Sequence, residues 1–165
     1  VAGEGSGTVV ELGGGTGTVT QALLATGLVP SRLVVLERDA RLHAYLADRF
    51  PQVTVVHGDA RHVADLLRGM GVESAVAMVS SLPFLSIPLE VQKPILEQSF
   101  ALLGQRGAFV QFTYGPTSPV PQGLLDALGL TARRIDRVWL NLPPAMVWRY
   151  TLKRGSDAAE QVSAA

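Results

Sequence analysis

The 165 residues carry 14 basic and 14 acidic side chains, no formal net charge, and are 47% apolar and 17% charged. That balance suits one folded domain with a full core; it excludes a disordered segment and disfavours a strong nucleic-acid binder, which needs a basic excess for phosphate contacts. The absence of cysteine excludes a disulfide framework and thiolate chemistry, and His43, His57 and His62 lack metal-ligand spacing, so no metal is expected.

Val1 to Gly7 is glycine-rich with no helical pattern. Val9 to Leu12 predicts a short β-strand, Gly13 to Gly17 a glycine turn, and Thr18 to Thr26 a helix with Val19, Ala22 and Leu23 inward and Gly27 as its stop. Arg32 to Glu37 is an apolar run ending in an acid, as in a strand buried on both faces of a parallel sheet. Asp39 caps the next helix, whose inward stripe is Leu42, Tyr45, Leu46 and Phe50, with Pro51 ending it. Val53 to His57 is a third strand, and Asp59 at its end serves either a ligand or the cap of a helix over 60–69.

Ser74 to Val79 is a fourth strand, running into Ser80-Ser81-Leu82-Pro83-Phe84-Leu85. A helix over 88–103 follows, with Val91, Ile95, Leu96, Phe100 and Leu103 inward; Pro94 predicts a kink or a late start. Ala108 to Tyr114 is a fifth strand, Leu124 to Leu128 a short helix, and Leu130 to Val138 and Ala145 to Leu152 a final strand pair. The domain is read as 1–154, and the small, polar stretch 155–165 as a disordered tail. No apolar run is long enough to cross a bilayer and no signal peptide is visible, so a cytoplasmic protein is expected.

Strand, glycine turn and helix open a nucleotide-binding α/β domain, in which ligands sit at the carboxyl ends of the strands. Gly13–Gly17, Glu37, Asp59 and Ser80–Phe84 all fall at such ends. Glu37 is placed to accept from two ribose hydroxyls. Arg38 beside it would favour a 2′-phosphate in a dinucleotide enzyme, but the third glycine of that fingerprint is replaced by Thr18. Charge is unevenly distributed: residues 127–154 contain Arg133, Arg134, Arg137, Arg149, Lys153 and Arg154 against the single acid Asp136. This stretch reads either as a basic patch for lipid headgroups or RNA, or as the solvated edge of a hairpin.

The pattern Glu11-x-Gly13-x-Gly15-x-Gly17 resembles motif I of the class I S-adenosylmethionine (AdoMet) methyltransferases. That resemblance implies a seven-stranded Rossmann-like sheet, mostly parallel, with an antiparallel C-terminal hairpin. It also implies AdoMet as cofactor and S-adenosylhomocysteine as product. Cofactor contacts would come from Glu11, Gly13, Gly14, Gly15, Gly17, Glu37, Arg38, Asp59, Ala60 and Ser80.

Ser81-Leu82-Pro83-Phe84 is similar to the Asn-Leu-Pro-Tyr of ribosomal RNA adenine dimethyltransferases. There the aromatic stacks on a flipped base; here serine replaces the asparagine amine acceptor. A fuller resemblance is to bacterial phospholipid N-methyltransferases. It rests on Ser80-Ser81-Leu82-Pro83, on Phe109 to Pro116 with Pro119 and Pro121, on Trp139 to Ala145, and on Trp148-Arg149-Tyr150.

What this resemblance implies is stepwise methylation of phosphatidylethanolamine to phosphatidylcholine. Tyr114 and Ser81 would act at the amine, and Pro83, Phe84, Arg133, Arg134, Asn141 and Arg149 would hold the lipid. It also implies an upstream amphipathic helix, leaving this chain a core that is peripheral at the inner membrane when that segment is present. Arg133, Arg134, Arg149, Lys153 and Arg154, with Trp139 and Trp148 as interfacial aromatics, would be the core's own membrane contacts, unless both tryptophans are interior. The rival expectations are an RNA adenine N6-methyltransferase and a non-catalytic AdoMet-binding module.

Overall fold

The structure is a computed structural model describing residues 7–114, 116–138 and 145–154, with backbone alone at 136–138 and 145. Trp139, Asn141 and the 155–165 tail lie outside the described residues. Seven strands form one sheet: β1 (Val9–Leu12), β2 (Leu33–Glu37), β3 (Thr54–His57), β4 (Ala77–Ser80), β5 (Ala108–Thr113), β6 (Leu130–Val138) and β7 (Ala145–Leu152). Their order is β3-β2-β1-β4-β5-β7-β6. The first five run parallel, and β7 pairs antiparallel with both β5 and β6.

Central position explains the strand sequences. β1 and β2 are buried at every residue, which is why they read as unbroken apolar runs. β3, at the edge, buries only Val56. The helices are α1 (Thr18–Ala25), α2 (Ala40–Arg49), α3 (Val63–Arg68), α4 (Leu89–Leu103) and α5 (Gln122–Ala127). Val63, Leu67, Ile95, Leu96, Phe100 and Leu125 pack α3, α4 and α5 on one face, over Val10, Leu12, Met78, Phe109 and Tyr150. Leu23, Leu24, Leu46 and Phe50 pack α1 and α2 on the other, over Val9, Leu33 and Val35.

Three local expectations are corrected. In α1 the one buried residue is Thr20 and Ala22 is exposed, because the helix turns its hydroxyl toward a buried carboxylate in β1. Tyr45 is 47% exposed; its hydroxyl accepts from Arg49 Nη1 at 3.0 Å, and the guanidinium also lies over its ring. α4 starts at Leu89 and runs through Pro94, so it has no late start; the Glu90 carbonyl simply lacks the N–H that proline cannot supply. No described helix is long and apolar enough to cross a membrane.

Candidate active site

The glycine turn leaves β1 in the middle of the sheet, so its neighbours come from three strands. Gly13 N–H donates to Leu36 carbonyl at 2.9 Å, closing the loop against β2. Gly15 N–H donates to Glu37 Oε2 at 2.9 Å, and Asp39 N–H to Glu37 Oε1 at 2.8 Å. Glu37 is 8% exposed and faces the cleft beside the loop. Each carboxylate oxygen keeps a lone pair for a further donor, and two adjacent hydroxyls are the donors that fit.

Gly15 has φ +54°, and a Cβ there would enter open space within the cleft. Gly17, at φ +83°, is different: a Cβ would run into the Phe50 ring. Gly14 likewise backs onto Val35 and Leu46. Of the motif glycines, Gly13 and Gly15 line the cleft, while Gly14 and Gly17 let the loop close onto α2.

Glu11 is also corrected. It lies beneath the loop, fully buried, and does not line the cleft. Thr20 Oγ1 donates to its Oε2 at 2.6 Å, and Oε1 has no partner among the described residues. Burial pushes its carboxyl up to about 7; the Thr20 hydroxyl and backbone hydrogen bonds oppose this, and the nearby Glu37 charge adds to it.

The far wall of the cleft is built after β3 and β4. Asp59 and Ala60 line it after β3, and Arg38 lines the cleft beside them from the end of β2. Asp59 Oδ1 accepts from Arg61 N–H at 2.9 Å, capping a short 3-10 turn over 60–62 that precedes α3. The Arg61 guanidinium grips the same carboxylate, with Nη2 to Oδ2 at 2.8 Å. This side-chain hydrogen bonding holds Asp59 below the usual carboxylate range, against the desolvation that opposes it. Ile87, Val91 and Ile95 supply an apolar wall. Sequence reading assigned Val91 and Ile95 to the core; a helix face that is half core and half cleft has the same periodicity as one that is all core.

Ser81, Leu82 and Pro83 form the remaining side. Ser80 is buried, with Oγ accepting from Leu82 N–H at 3.3 Å, and is absent from the lining; it shapes the loop. Two glutamines missed in the sequence hold this loop from below. Gln111 Nε2 donates to Leu82 carbonyl at 2.8 Å, and Gln92 Nε2 to the carbonyls of Phe84 and Ile87 at 2.8 and 2.9 Å. A polar residue inside an otherwise apolar strand was the available signal for Gln111.

Phe84 is corrected outright: it is 1% exposed and packs against Phe109 with ring centroids 5.9 Å apart, so it cannot stack on a substrate. Tyr114 is 65% exposed, just past the end of β5, and is not part of the cleft wall. Arg149 and Arg133 are cross-strand partners on β7 and β6. Tyr150 and Trp148 point into the core, so Arg149 points to the opposite face, and it lines a different cleft. Arg134 is exposed on edge strand β6, opposite Trp148. None of the three arginines faces the Glu37 cleft. Trp148 is half-buried against the core with Nε1 out of solvent, which removes it as an interfacial aromatic.

The cleft measures about 460 Å³, within the range for small-molecule sites. An open glycine, the Glu37 carboxylate with a free lone pair on each oxygen and an apolar wall suit a nucleoside carrying a cationic side arm, and AdoMet has that chemistry.

No protein-family profile matches the chain. It is 37% identical over 111 residues to an ornithine lipid N-methyltransferase from Singulisphaera acidiphila, covering 66% of this chain and 58% of that one. It is 31% identical over 133 residues to the ribosomal RNA small subunit methyltransferase A of Phenylobacterium zucineum, covering 72% and 45%. The chain thus spans about half the length of these relatives. Among solved structures, a TehB-like AdoMet-dependent methyltransferase from Corynebacterium glutamicum superposes with a TM-score of 0.66 at 19% identity, covering 92% and 83%. The glycopeptide N-methyltransferase MtfA, complexed with sinefungin, does so with 0.67 at 14%, covering 92% and 89%. The chain is built on the fold of the class I AdoMet-dependent methyltransferases, with its glycine-loop cleft at the carboxyl edge of the sheet.

Proposed function

We propose that this chain is the AdoMet-binding catalytic core of an N-methyltransferase acting on the amine of a membrane-lipid headgroup, phosphatidylethanolamine and its partly methylated forms in the first instance. One observation carries the reading: Gly15, Glu37, Asp59 and the Ser81-Leu82-Pro83 loop converge on a single cleft. The lipid N-methyltransferase relative supports the substrate class, and ornithine lipid is the second amine to test.

AdoMet, when bound, would supply an electrophilic methyl on its sulfonium for in-line transfer to a neutral amine, with S-adenosylhomocysteine as the leaving group. The chain's own residues bind and orient. Glu37 accepts from ribose hydroxyls, Asp59 accepts from an adenine amine while Arg61 keeps its carboxylate ionised, and Ile87, Val91 and Ile95 exclude water from the base. Ser81, exposed on the cleft wall, is the polar group left to meet the incoming amine. Tyr114 follows the same sheet edge and is kept as a substrate contact rather than a base.

The second reading, methylation of an adenine in ribosomal RNA, is favoured by the ribosomal RNA methyltransferase relative. Against it stand Ser81 in place of an amide and the burial of Phe84. Methyl transfer from radiolabelled AdoMet should be measured on vesicles of phosphatidylethanolamine, on vesicles of ornithine lipid, and on unmethylated ribosomal RNA. Labelled lipid with unlabelled RNA is the expected result. Label on RNA alone overturns the lipid reading, and AdoMet binding with no transfer to any of the three leaves a non-catalytic binding module.

A further inference from the structure

A second cleft, of about 530 Å³, lies at the opposite end of the sheet. Residues after Tyr150 run past the start of β5, since Phe109 pairs with Tyr150. That is the edge where the parallel strands begin, whereas Glu37, Asp59 and Ser81 follow the edge where they finish. The two clefts share no lining residue.

Its chemistry is one-sided. Arg106 approaches from the turn between α4 and β5, Arg149 and Lys153 from β7 and its continuation, and Arg154 from just beyond. Thr131 and Thr151, directly opposite each other in the β6–β7 ladder, add two hydroxyls to the wall, and Gln105 adds an amide. No described lining residue is a carboxylate. Asp126, outside the lining, is tied to Lys153 at 3.0 Å. Among the described residues, no hydrogen bond or ion pair engages the side chains of Arg106, Arg149 or Arg154.

A separate observation comes from the ladder itself. Arg133 and Arg149 are direct cross-strand partners, two residues along from the Thr131–Thr151 pair and so on the same face. Side chains in that relation share a face, and like charges there destabilise the pair. A chain of zero net charge has no overall cationic excess that would account for such a pair. Of the two, Arg149 lines the cleft, and an anion bound there offsets the repulsion at that side chain.

We propose that this cleft is a binding site for a phosphate-class anion, distinct from the cofactor cleft. Guanidinium forks and hydroxyls together match the several acceptor oxygens of a phosphate. The anion could be a soluble phosphate or the headgroup of an anionic lipid, and the two sources can be told apart. The inference stands whether or not the methyl acceptor is a lipid.

The test compares the parent chain with the double variant Arg106→Gln/Arg149→Gln. Inorganic pyrophosphate is titrated calorimetrically. Co-sedimentation is run with vesicles containing phosphatidylglycerol and with purely zwitterionic vesicles, with and without pyrophosphate as competitor. AdoMet binding and the thermal midpoint serve as controls for folding, since neither arginine lines the cofactor cleft. The parent should bind pyrophosphate, and the variant should bind it about tenfold or more weakly, with AdoMet affinity unchanged. Added salt should weaken the parent's binding.

Pyrophosphate binding without vesicle binding assigns a soluble anion. Vesicle binding that requires phosphatidylglycerol and is displaced by pyrophosphate assigns a headgroup. A parent that binds neither probe, or a folded variant that binds both as the parent does, overturns the proposal.

Discussion

Replacing Glu11 by glutamine should alter the pH dependence of stability more than stability itself. Glu11 is fully buried at the centre of the sheet, with one oxygen on the Thr20 hydroxyl and the other without a described partner. Burial moves its carboxyl from 4.5 to about 7. Because the folded value is the higher one, the folded chain holds a proton that the unfolded chain releases between those two values. The stability due to the neutral carboxyl is therefore fully present below about 4.5. It falls as pH rises through 7 and is gone above it.

At about 1.4 kcal/mol per decade the loss amounts to about 3 kcal/mol, large against a total of about 5–15 kcal/mol. Glutamine keeps the acceptor for Thr20 and cannot ionise. Urea unfolding of parent and Glu11→Gln at pH 5 and pH 8.5 measures the difference, and carboxylates common to both chains, Asp39, Asp59 and Asp126 among them, cancel from it. The variant should match or slightly trail the parent at pH 5 and gain about 2–3 kcal/mol on it between pH 5 and pH 8.5. An equal difference at both pH values would refute the assignment of a neutral buried carboxyl.

Glu37→Ala should weaken AdoMet binding about 10–100-fold by calorimetry, the equivalent of about 1.5–3 kcal/mol for a hydrogen bond to a charged group; parent-like affinity would take Glu37 out of the site. Gly15→Val and Gly17→Ala should fail differently. The first places a side chain in open cleft space and should abolish AdoMet binding, with a modest stability cost of about 1–2 kcal/mol from its positive φ. The second meets Phe50 and should lower the thermal midpoint more, and two variants with the same balance of binding and stability loss would contradict that division of roles.

Much of the architecture follows from local sequence. Apolar runs ending in acids or small residues set parallel strands, and Gly13 to Gly17 set the first turn, because these signals depend on neighbours within a few residues. A parallel sheet then gathers every strand end on one edge, so Glu37, Asp59 and Ser81 meet without any long-range information beyond strand order.

Facing and depth were decided by tertiary packing. Glu11 carries the same motif signal as a ligand contact, and only the position of β1 between β2 and β4 buries it under the loop. Phe84 turns inward because Gln92 holds the carbonyls around it and Phe109 offers a ring to pack on. Arg149 faces away from the cofactor because Tyr150 next to it takes the core, and alternation along a strand allows a residue one face or the other, never both. The second cleft draws on a turn and two strands, β6 and β7, paired antiparallel at the far edge of the sheet. Chain order alone does not bring Arg106 beside Arg149 and Thr131; the ladder register does.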